Sequence, residues 1–407
     1  MTPFTLPRLE RVLSGAGSLA SLAAELDRGG CTRAVVVTGR TLAASPLVAR
    51  ITDQLDARLV FVFDGARQHV PSGTVQALVD AARQHRADGF VSVGGGSPID
   101  TAKAAVHALI AGAGGEPPLH VAVPTTLSAG EFTDVAGITD EATRVKHAVY
   151  DARIAPRVVI ADPEATRLTP AWLWAASGIR ALDHAIETLY ASRRHPISQP
   201  LAVRGIEMLV EHLPASVRSE RPERLERPTP NAQRPKRLGA LGSWESEVGG
   251  FDGSNDSNDL QHRGECQMAA WLAVFGVTNA GFGLSHVLGH QIGPRWNVAH
   301  GVTSAVMLPH AMRFMADAVP ERFAPIAHAL RVPFDDRDPR RGALACADRV
   351  AAFIAQFNLP RCLRDVSVPA GETGEIVRIV CGILDGADLI DRPITGGDLA
   401  SLLTAAY

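Results

Sequence analysis

Residues 89–103 read Gly-Phe-Val-Ser-Val-Gly-Gly-Gly-Ser-Pro-Ile-Asp-Thr-Ala-Lys. The first five are a short apolar run of the kind buried in a parallel sheet. Gly94, Gly95 and Gly96 then let the backbone turn sharply and pass close to a ligand. Ser97 suits the cap of a new helix and Pro98 its first turn. Such a helix start offers free N–H groups and the positive end of a dipole, which together favour a pyrophosphate. A glycine turn alone is common. The fuller pattern GGGSxxDxxK directly after a strand is far more specific. It predicts a cofactor site built from Gly94, Gly95, Gly96, Ser97 and Asp100.

The neighbouring sequence repeats this alternation. Strands are expected at "RAVVVTG" (33–39), "RLVFVFD" (58–64) and "LHVAVPTT" (119–126), and helices at "SPLVARITDQLD" (45–56), "TVQALVDAARQH" (74–85) and from Pro98 to Gly112. Alternating strands and helices predict an α/β domain with a parallel, Rossmann-like sheet. After Asp162-Pro163 strand-like runs stop, and Ala/Leu-rich helical segments continue to Tyr407. The expectation is therefore an α/β domain over 1–162 and an all-α domain over 163–407. Residues 218–264, rich in Arg, Pro, Gly, Ser, Asn and Asp, have too little periodic apolar content to pack. They read as a largely disordered loop between helices. The basic first half of that loop reads as a solvated linker rather than a polyanion patch.

The 407 residues are too many for one ordinary core, which agrees with two domains. A net charge of −3 gives no reason to expect nucleic acid. No apolar run is long enough for a bilayer, and the first residues lack the pattern of a signal peptide. Cys31, Cys266, Cys346, Cys362 and Cys381 are scattered without a CxxC, so a reducing compartment, the cytoplasm, is expected.

Two further stretches bear on the cofactor. In "VPTTLSAGEFTD" (123–134), small hydroxyl residues follow a strand end, where open α/β sheets bind ligands. Thr125, Thr126 and Ser128 could contact phosphate or nicotinamide, although an ordinary polar loop has the same composition. The first strand ends in Thr38-Gly39-Arg40. No acid is there to hold a ribose hydroxyl, and Arg40 could accept a 2′-phosphate, so both NAD(H) and NADP(H) are permitted.

The helical half carries "SHVLGHQIGPRWNVAHG" (285–301). His286 and His290 are four apart and share a helix face, and His300 follows in a loop beside Gly301. Three such histidines suit metal ligation or a proton relay. "GIRALDHAIE" (178–187) places Arg180, Asp183, His184 and Glu187 on one helical face. This is either a surface Arg180–Asp183 pair or a helix that adds His184 to the other histidines.

Together these motifs resemble the iron-type (group III) alcohol dehydrogenases, over nearly the whole chain except about 218–264. GGGSPIDTAK looks like that family's pyrophosphate loop and PTTLSAGEFTD like its second cofactor loop. SHVLGHQIGPRWNVAHG is similar to its HAxxHxxG…PHG signature, with Ala299 where proline is usual. The resemblance implies a dehydroquinate synthase-like architecture, an NAD(P)-binding first domain and a divalent metal, Fe or Zn, in the cleft. It places metal ligands at His184, His286 and His300, and His290 near the nicotinamide as a proton relay. Lys146 joins the cofactor-binding candidates, and a homodimer suits the family.

Position 180 departs from the family's GxDAxxHxxE pattern, which has Asp where this chain has Arg. A guanidinium has no lone pair for a metal and repels one. Asp183 lies about 100° around the helix from His184, which makes a simple exchange of ligands difficult. The maleylacetate reductase branch, active in aromatic catabolism, resembles this arrangement more closely, since it works without metal and also lacks the Asp. It usually has Asn there. The expected reaction is hydride transfer from NAD(P)H to a carbonyl, with Arg180 and protonated imidazoles stabilising the developing charge. Alternatively, Arg180 grips a substrate carboxylate. Either role favours an anionic oxo-acid. The competing expectations are a metal-dependent dehydrogenase of small alcohols and aldehydes, a lyase of the dehydroquinate synthase kind, and a non-catalytic cofactor-binding homologue.

Overall fold

The structure is a computed structural model that describes residues 4–113, 116–217, 257–275, 277–385, 389–390 and 392–407. The first part holds six parallel strands: β1 (Arg11–Ser14), β2 (Ala34–Val37), β3 (Leu59–Phe63), β4 (Gly89–Gly94), β5 (Leu119–Pro124) and, after a hairpin of β6 (Val135–Thr139) and β7 (Lys146–Tyr150), β8 (Val158–Ala161). The order across the sheet is β1-β8-β5-β4-β2-β3. The chain moves outward from β2 to β3 and returns to place β4 on the other side of β2. The crevice at that reversal is where open α/β sheets bind ligands.

Alternate strand residues face opposite sides, so both faces must be covered. Val36, Val91, Val93 and Val121 pack under helices α1 (Leu22–Arg28) and α3 (Pro46–Leu55), with the short α2 (Arg40–Ala43) between them in sequence. Val35, Val37 and Phe90 pack under α4 (Ser72–Gln84) and α5 (Gly96–Ala113). Strands β2 to β5 and helices α3 to α5 match those expected from sequence. Helices α1 and α2, the strands β1 and β8 and the antiparallel β6–β7 hairpin are additions.

From Ala171 onward the described residues are helical and contain no strand. The helices are α6 (Ala171–Tyr190), α7 (Ser198–Val217), α8 (Ser257–Val274), α9 (Val277–Ala280), α10 (Leu284–Trp296), α11 (His300–Ala318), α12 (Ala324–Leu330), α13 (Pro339–Ile354), α14 (Thr373–Leu384) and α15 (Gly396–Ala405). Helix α6 is central and is buried at every residue from Trp174 to Tyr190, packed by α7, α8, α10 and α11. A helix buried all round is normally apolar. Arg180, Asp183, His184 and Glu187 lie within this buried length, so each needs a partner.

Two expectations change here. The loop expected over 218–264 ends too late, because residues 257–264 form the start of α8. Arg263 there pairs with Asp259 and stacks over the buried Trp174 ring at 4.8 Å. These polar residues are held by tertiary contacts that composition cannot show. Residues 218–256 lie outside the described residues. The second change concerns His300, which opens α11 rather than lying in a loop.

Candidate active site

At the cofactor end, helix α5 begins at Gly96, one residue before Ser97, so Ser97 sits inside the first turn and is not the cap. Gly94 has φ 139°, a backbone state that favours glycine. A Cβ on Gly95 would come within 3.0 Å of Thr126, and one on Gly96 within 3.3 Å of the Ser128 hydroxyl. The glycine turn thus lies directly against the second loop, and the two expected cofactor stretches form one cradle. The Thr126 hydroxyl donates to Ser128 Oγ at 3.3 Å. Thr125 is anchored from behind, its carbonyl accepting from the Thr169 hydroxyl at 2.7 Å. This cradle of small side chains at a long helix's N-terminus fits a dinucleotide pyrophosphate. Gly39 and the exposed Arg40 lie just past β2, at the neighbouring strand end.

Asp100 is tied into the protein itself. It pairs with Lys103 at 3.2 Å and accepts from the Gly137 N–H at 3.4 Å. Lys103 is fully buried and donates to the Gly130 carbonyl and the Thr133 hydroxyl, which locks α5 to the second loop. The Asp and Lys of GGGSxxDxxK therefore support the cradle in this structure. Lys146, at the start of β7, faces the helical half. Burial depresses the protonation of His69, His290 and His300, and the charge of Lys146 adds to it.

Across the cleft, α6, α10 and α11 bring four imidazoles together. Ring centroids are 5.0 Å apart for His184–His286, 4.5 Å for His286–His290, 5.5 Å for His286–His300 and 4.7 Å for His290–His300. His184 and His286 are buried, whereas His290 and His300 are part-exposed. Phe282 stacks on His286 at 4.0 Å. Burial pushes all four well below the ordinary histidine value, with the charges of Arg180 or Lys146 adding to it. The imidazoles are neutral at neutral pH, which corrects the expectation of protonated imidazoles.

Arg180 is the standing cation among them. Its Nη1 donates to the Ser304 hydroxyl at 2.9 Å and lies 3.5 Å from Asp183 Oδ2, and its Nη2 donates to Nε2 of His286. The pair is buried, with side-chain exposures of 3% and 0%, and is not the surface pair considered from sequence. Burial pulls the guanidinium down to about 10, still charged at neutral pH. Asp183 also accepts from the Ser285 hydroxyl at 2.9 Å. Glu187 accepts the N–H groups of Gly283 at 3.0 Å and Ser285 at 2.8 Å, the first donors of α10. Two carboxylates of α6 thus fix the start of the helix that carries His286 and His290. Burial raises both, and Arg180 opposes the rise.

Within this cluster, ligand-capable atoms of His286, His290 and His300 lie within 4.8 Å of one another. That trio differs from the expected one, with His290 in the place of His184. The spacing would admit an ion, but the donor set does not suit a divalent cation. Three imidazoles can by themselves hold zinc, but here the His286 Nε2 lone pair accepts from Arg180 and faces a permanent positive charge.

Sequence reading missed His69, Gly283, Ser285 and Ser304 as parts of this region. The two serines are ordinary helix residues in sequence, and His69 is a single histidine in a loop of the other domain.

The chain matches two family descriptions: "Iron-containing alcohol dehydrogenase" over residues 9–163 and "Fe-containing alcohol dehydrogenase family, C-terminal" over 252–403. Maleylacetate reductase of Pseudomonas aeruginosa is 32% identical over 82% of this chain and 80% of that protein. Lactaldehyde reductase of Escherichia coli K12 is 29% identical over 87% of each. The crystal structure of maleylacetate reductase from Agrobacterium tumefaciens superposes with a TM-score of 0.76 at 26% identity, covering 100% of this chain and 99% of that one. With a dinucleotide cradle facing a histidine cluster, the chain belongs to the iron-containing alcohol dehydrogenase family, in its maleylacetate reductase-like branch, as an NAD(P)H-dependent oxidoreductase.

Proposed function

We propose that this enzyme reduces the carbonyl of an anionic oxo-acid, such as maleylacetate, with NAD(P)H and without a metal ion. The observation that carries this reading is Arg180, whose guanidinium meets His286 Nε2 where a metal would need that lone pair. Bound dihydronicotinamide supplies the hydride. The chain's own residues do the rest. Gly94–Gly96, Ser97, Thr125, Thr126 and Ser128 hold the dinucleotide, with Gly39, Arg40 and Lys146 at its flanks. Arg180 offers fixed positive charge to the carbonyl oxygen as its electron density grows, in a site where low polarity strengthens the effect. Three of its five N–H groups are committed to Ser304, Asp183 and His286, which leaves only the Nε–Nη2 edge for a carboxylate and favours the electrostatic role. His286 accepts from Arg180 at Nε2, so it holds its proton on Nδ1. His290, neutral and part-exposed, relays a proton from water to the product oxygen, releasing the proton of one ring nitrogen as the other nitrogen takes one from solvent, and His184 and His300 flank the transfer.

The same reading keeps 1–162 as the dinucleotide domain and 163–407 as the catalytic domain, in a cytoplasmic homodimer. In support, the first family match ends at residue 163 and the second lies wholly within the helical part, over 252–403, and no described helix is long and apolar enough to cross a membrane. Light scattering on the purified protein tests the dimer.

Metal determination on purified protein, with oxo-acid turnover measured before and after chelation, tests the main reading. The expected result is substoichiometric metal and unchanged turnover. Stoichiometric Fe or Zn with chelator-sensitive turnover would overturn it and favour the metal-dependent dehydrogenase, for which the 4.8 Å histidine trio is the supporting observation.

A further inference from the structure

His69 lies outside every motif used above, in the loop between β3 and α4. It and Val70 both adopt left-handed backbone, with φ 65° and 55°. Neither is glycine and Val70 is β-branched, so each is a strained conformation that the surrounding structure must hold in place. Thr139 of β6 secures the turn. Its N–H donates to the Val70 carbonyl at 2.9 Å and its hydroxyl to the His69 carbonyl at 2.6 Å. The imidazole this delivers is 9% exposed, and its Nε2 has no hydrogen-bond partner among the described residues. A buried polar atom without a partner is uncommon and calls for an explanation.

The ring packs against α10 of the helical half. Its Cε1 is 3.0 Å and its Nδ1 3.5 Å from where a Cβ on Gly293 would stand. Gly293 follows His290 by three residues on α10, so the α/β domain places an imidazole against the helix that carries the histidine cluster. Lys146, paired in register with Thr139, adds positive charge on the same side. A neutral Nε2–H is a donor, and the nearby charge of Lys146 makes an anion its favourable acceptor.

We propose that His69 recognises a carboxylate of the substrate remote from the carbonyl that is reduced, donating to it from Nε2. The inference rests on the oxo-acid reading and narrows it to oxo-dicarboxylates. It is tested on the full chain with His69→Phe, which keeps a ring and removes both nitrogens, and His69→Asn, which tolerates the left-handed backbone and keeps a donor. An oxo-dicarboxylate and a neutral aldehyde serve as substrates, and NAD(P)H binding is followed by fluorescence. For His69→Phe, KM for the oxo-dicarboxylate should rise about tenfold or more, as expected when a charged group loses its buried donor. Its kcat, the kcat/KM for the aldehyde and the cofactor Kd should change by no more than about twofold. His69→Asn should recover part of the KM. Thr139→Val, which frees the His69 carbonyl, should shift KM the same way by less, and it serves if His69→Phe does not fold. Equal losses on both substrates, a loss confined to cofactor affinity, or no change in KM overturns the inference. An enzyme that reduces aldehydes but no oxo-acid overturns the oxo-acid reading itself, an outcome visible in the unsubstituted protein alone.

Discussion

The Arg180 guanidinium sits between Asp183 and His286, donating to the imidazole while the carboxylate balances its charge. One residue of α6 thereby supplies a fixed cation and also sets which nitrogen of His286 keeps its proton. Arg180→Ala should lower kcat/KM for the oxo-acid by about 10²–10³, the usual loss when a preorganised charge stabiliser is removed. It should leave the NAD(P)H Kd within about twofold. Arg180→Lys keeps the charge but not the planar fork, so it should recover activity only in part. Steady-state kinetics with cofactor fluorescence distinguish these outcomes. Full activity in Arg180→Ala would exclude the electrostatic role.

Glu187 and Gly283 make a second pair whose fit can be tested. A Cβ on Gly283 would stand 2.4 Å from the Glu187 carboxyl carbon. Gly283→Ala should therefore push Glu187 off the start of α10 and destabilise the fold by about 1–3 kcal/mol, as overpacking does. Glu187→Ala leaves the buried N–H groups of Gly283 and Ser285 without an acceptor, at about 1–3 kcal/mol for each. In the double variant the new methyl occupies the space left by the carboxylate. Urea denaturation should thus give a double-variant loss smaller than the sum of the two single losses. Strict additivity would mean that the two residues do not share that space.

Much of this arrangement was legible in the sequence because local rules and the global fold agree there. The run from Gly89 to Lys103 declares strand, turn and helix by local chemistry alone, and the three histidines of 286–300 were close enough in sequence to read as one group. What stayed hidden depends on contacts between distant segments. Nothing near Glu187 shows that its carboxylate caps a helix 97 residues later, at Leu284. His69 has no motif, since its placement follows from two left-handed residues and a bond to Thr139. His300 read as loop because Gly301 follows it, yet a Cβ on Gly301 would lie 2.3 Å from the Ala176 carbonyl. That glycine serves a close helix–helix approach. The buried ionic run of α6 read equally well as a solvated face until α7, α8, α10 and α11 closed around it.

The cofactor cradle predicts two different outcomes at adjacent glycines. An alanine at 95 would meet the branched Thr126 side chain from two sides, with Cγ2 and Oγ1 both 3.0 Å away. An alanine at 96 would meet a single hydroxyl, Ser128 Oγ at 3.3 Å, at the free end of its side chain. Gly95→Ala should therefore displace the second loop and weaken NAD(P)H binding by about tenfold or more, roughly 1.4 kcal/mol. Gly96→Ala should cost less than about threefold, because Ser128 can rotate away. Fluorescence titration of the two variants gives the ratio. A larger effect at Gly96 would place the pyrophosphate against that residue rather than against the loop.

Glu131, at the end of the second cofactor loop, predicts how stability depends on pH. It is 3% exposed and its Oε2 has no partner among the described residues. Burial raises its carboxyl from the ordinary 4.5 to about 7; its own backbone N–H and Lys103 oppose the rise, and Asp100 adds to it. The folded chain then holds a proton that the unfolded chain releases. The contribution from this residue is intact below pH 4.5 and is lost as pH rises through 7. Glu131→Gln keeps the shape and removes the titration. Every other group titrates alike in both proteins, so their difference isolates this residue. The two should be about equally stable near pH 4, and by pH 9 Gln should be ahead by roughly 3 kcal/mol. Urea midpoints measured from pH 4 to 9 check the direction. A pH-independent difference would mean that Glu131 already ionises in the folded protein at its ordinary value.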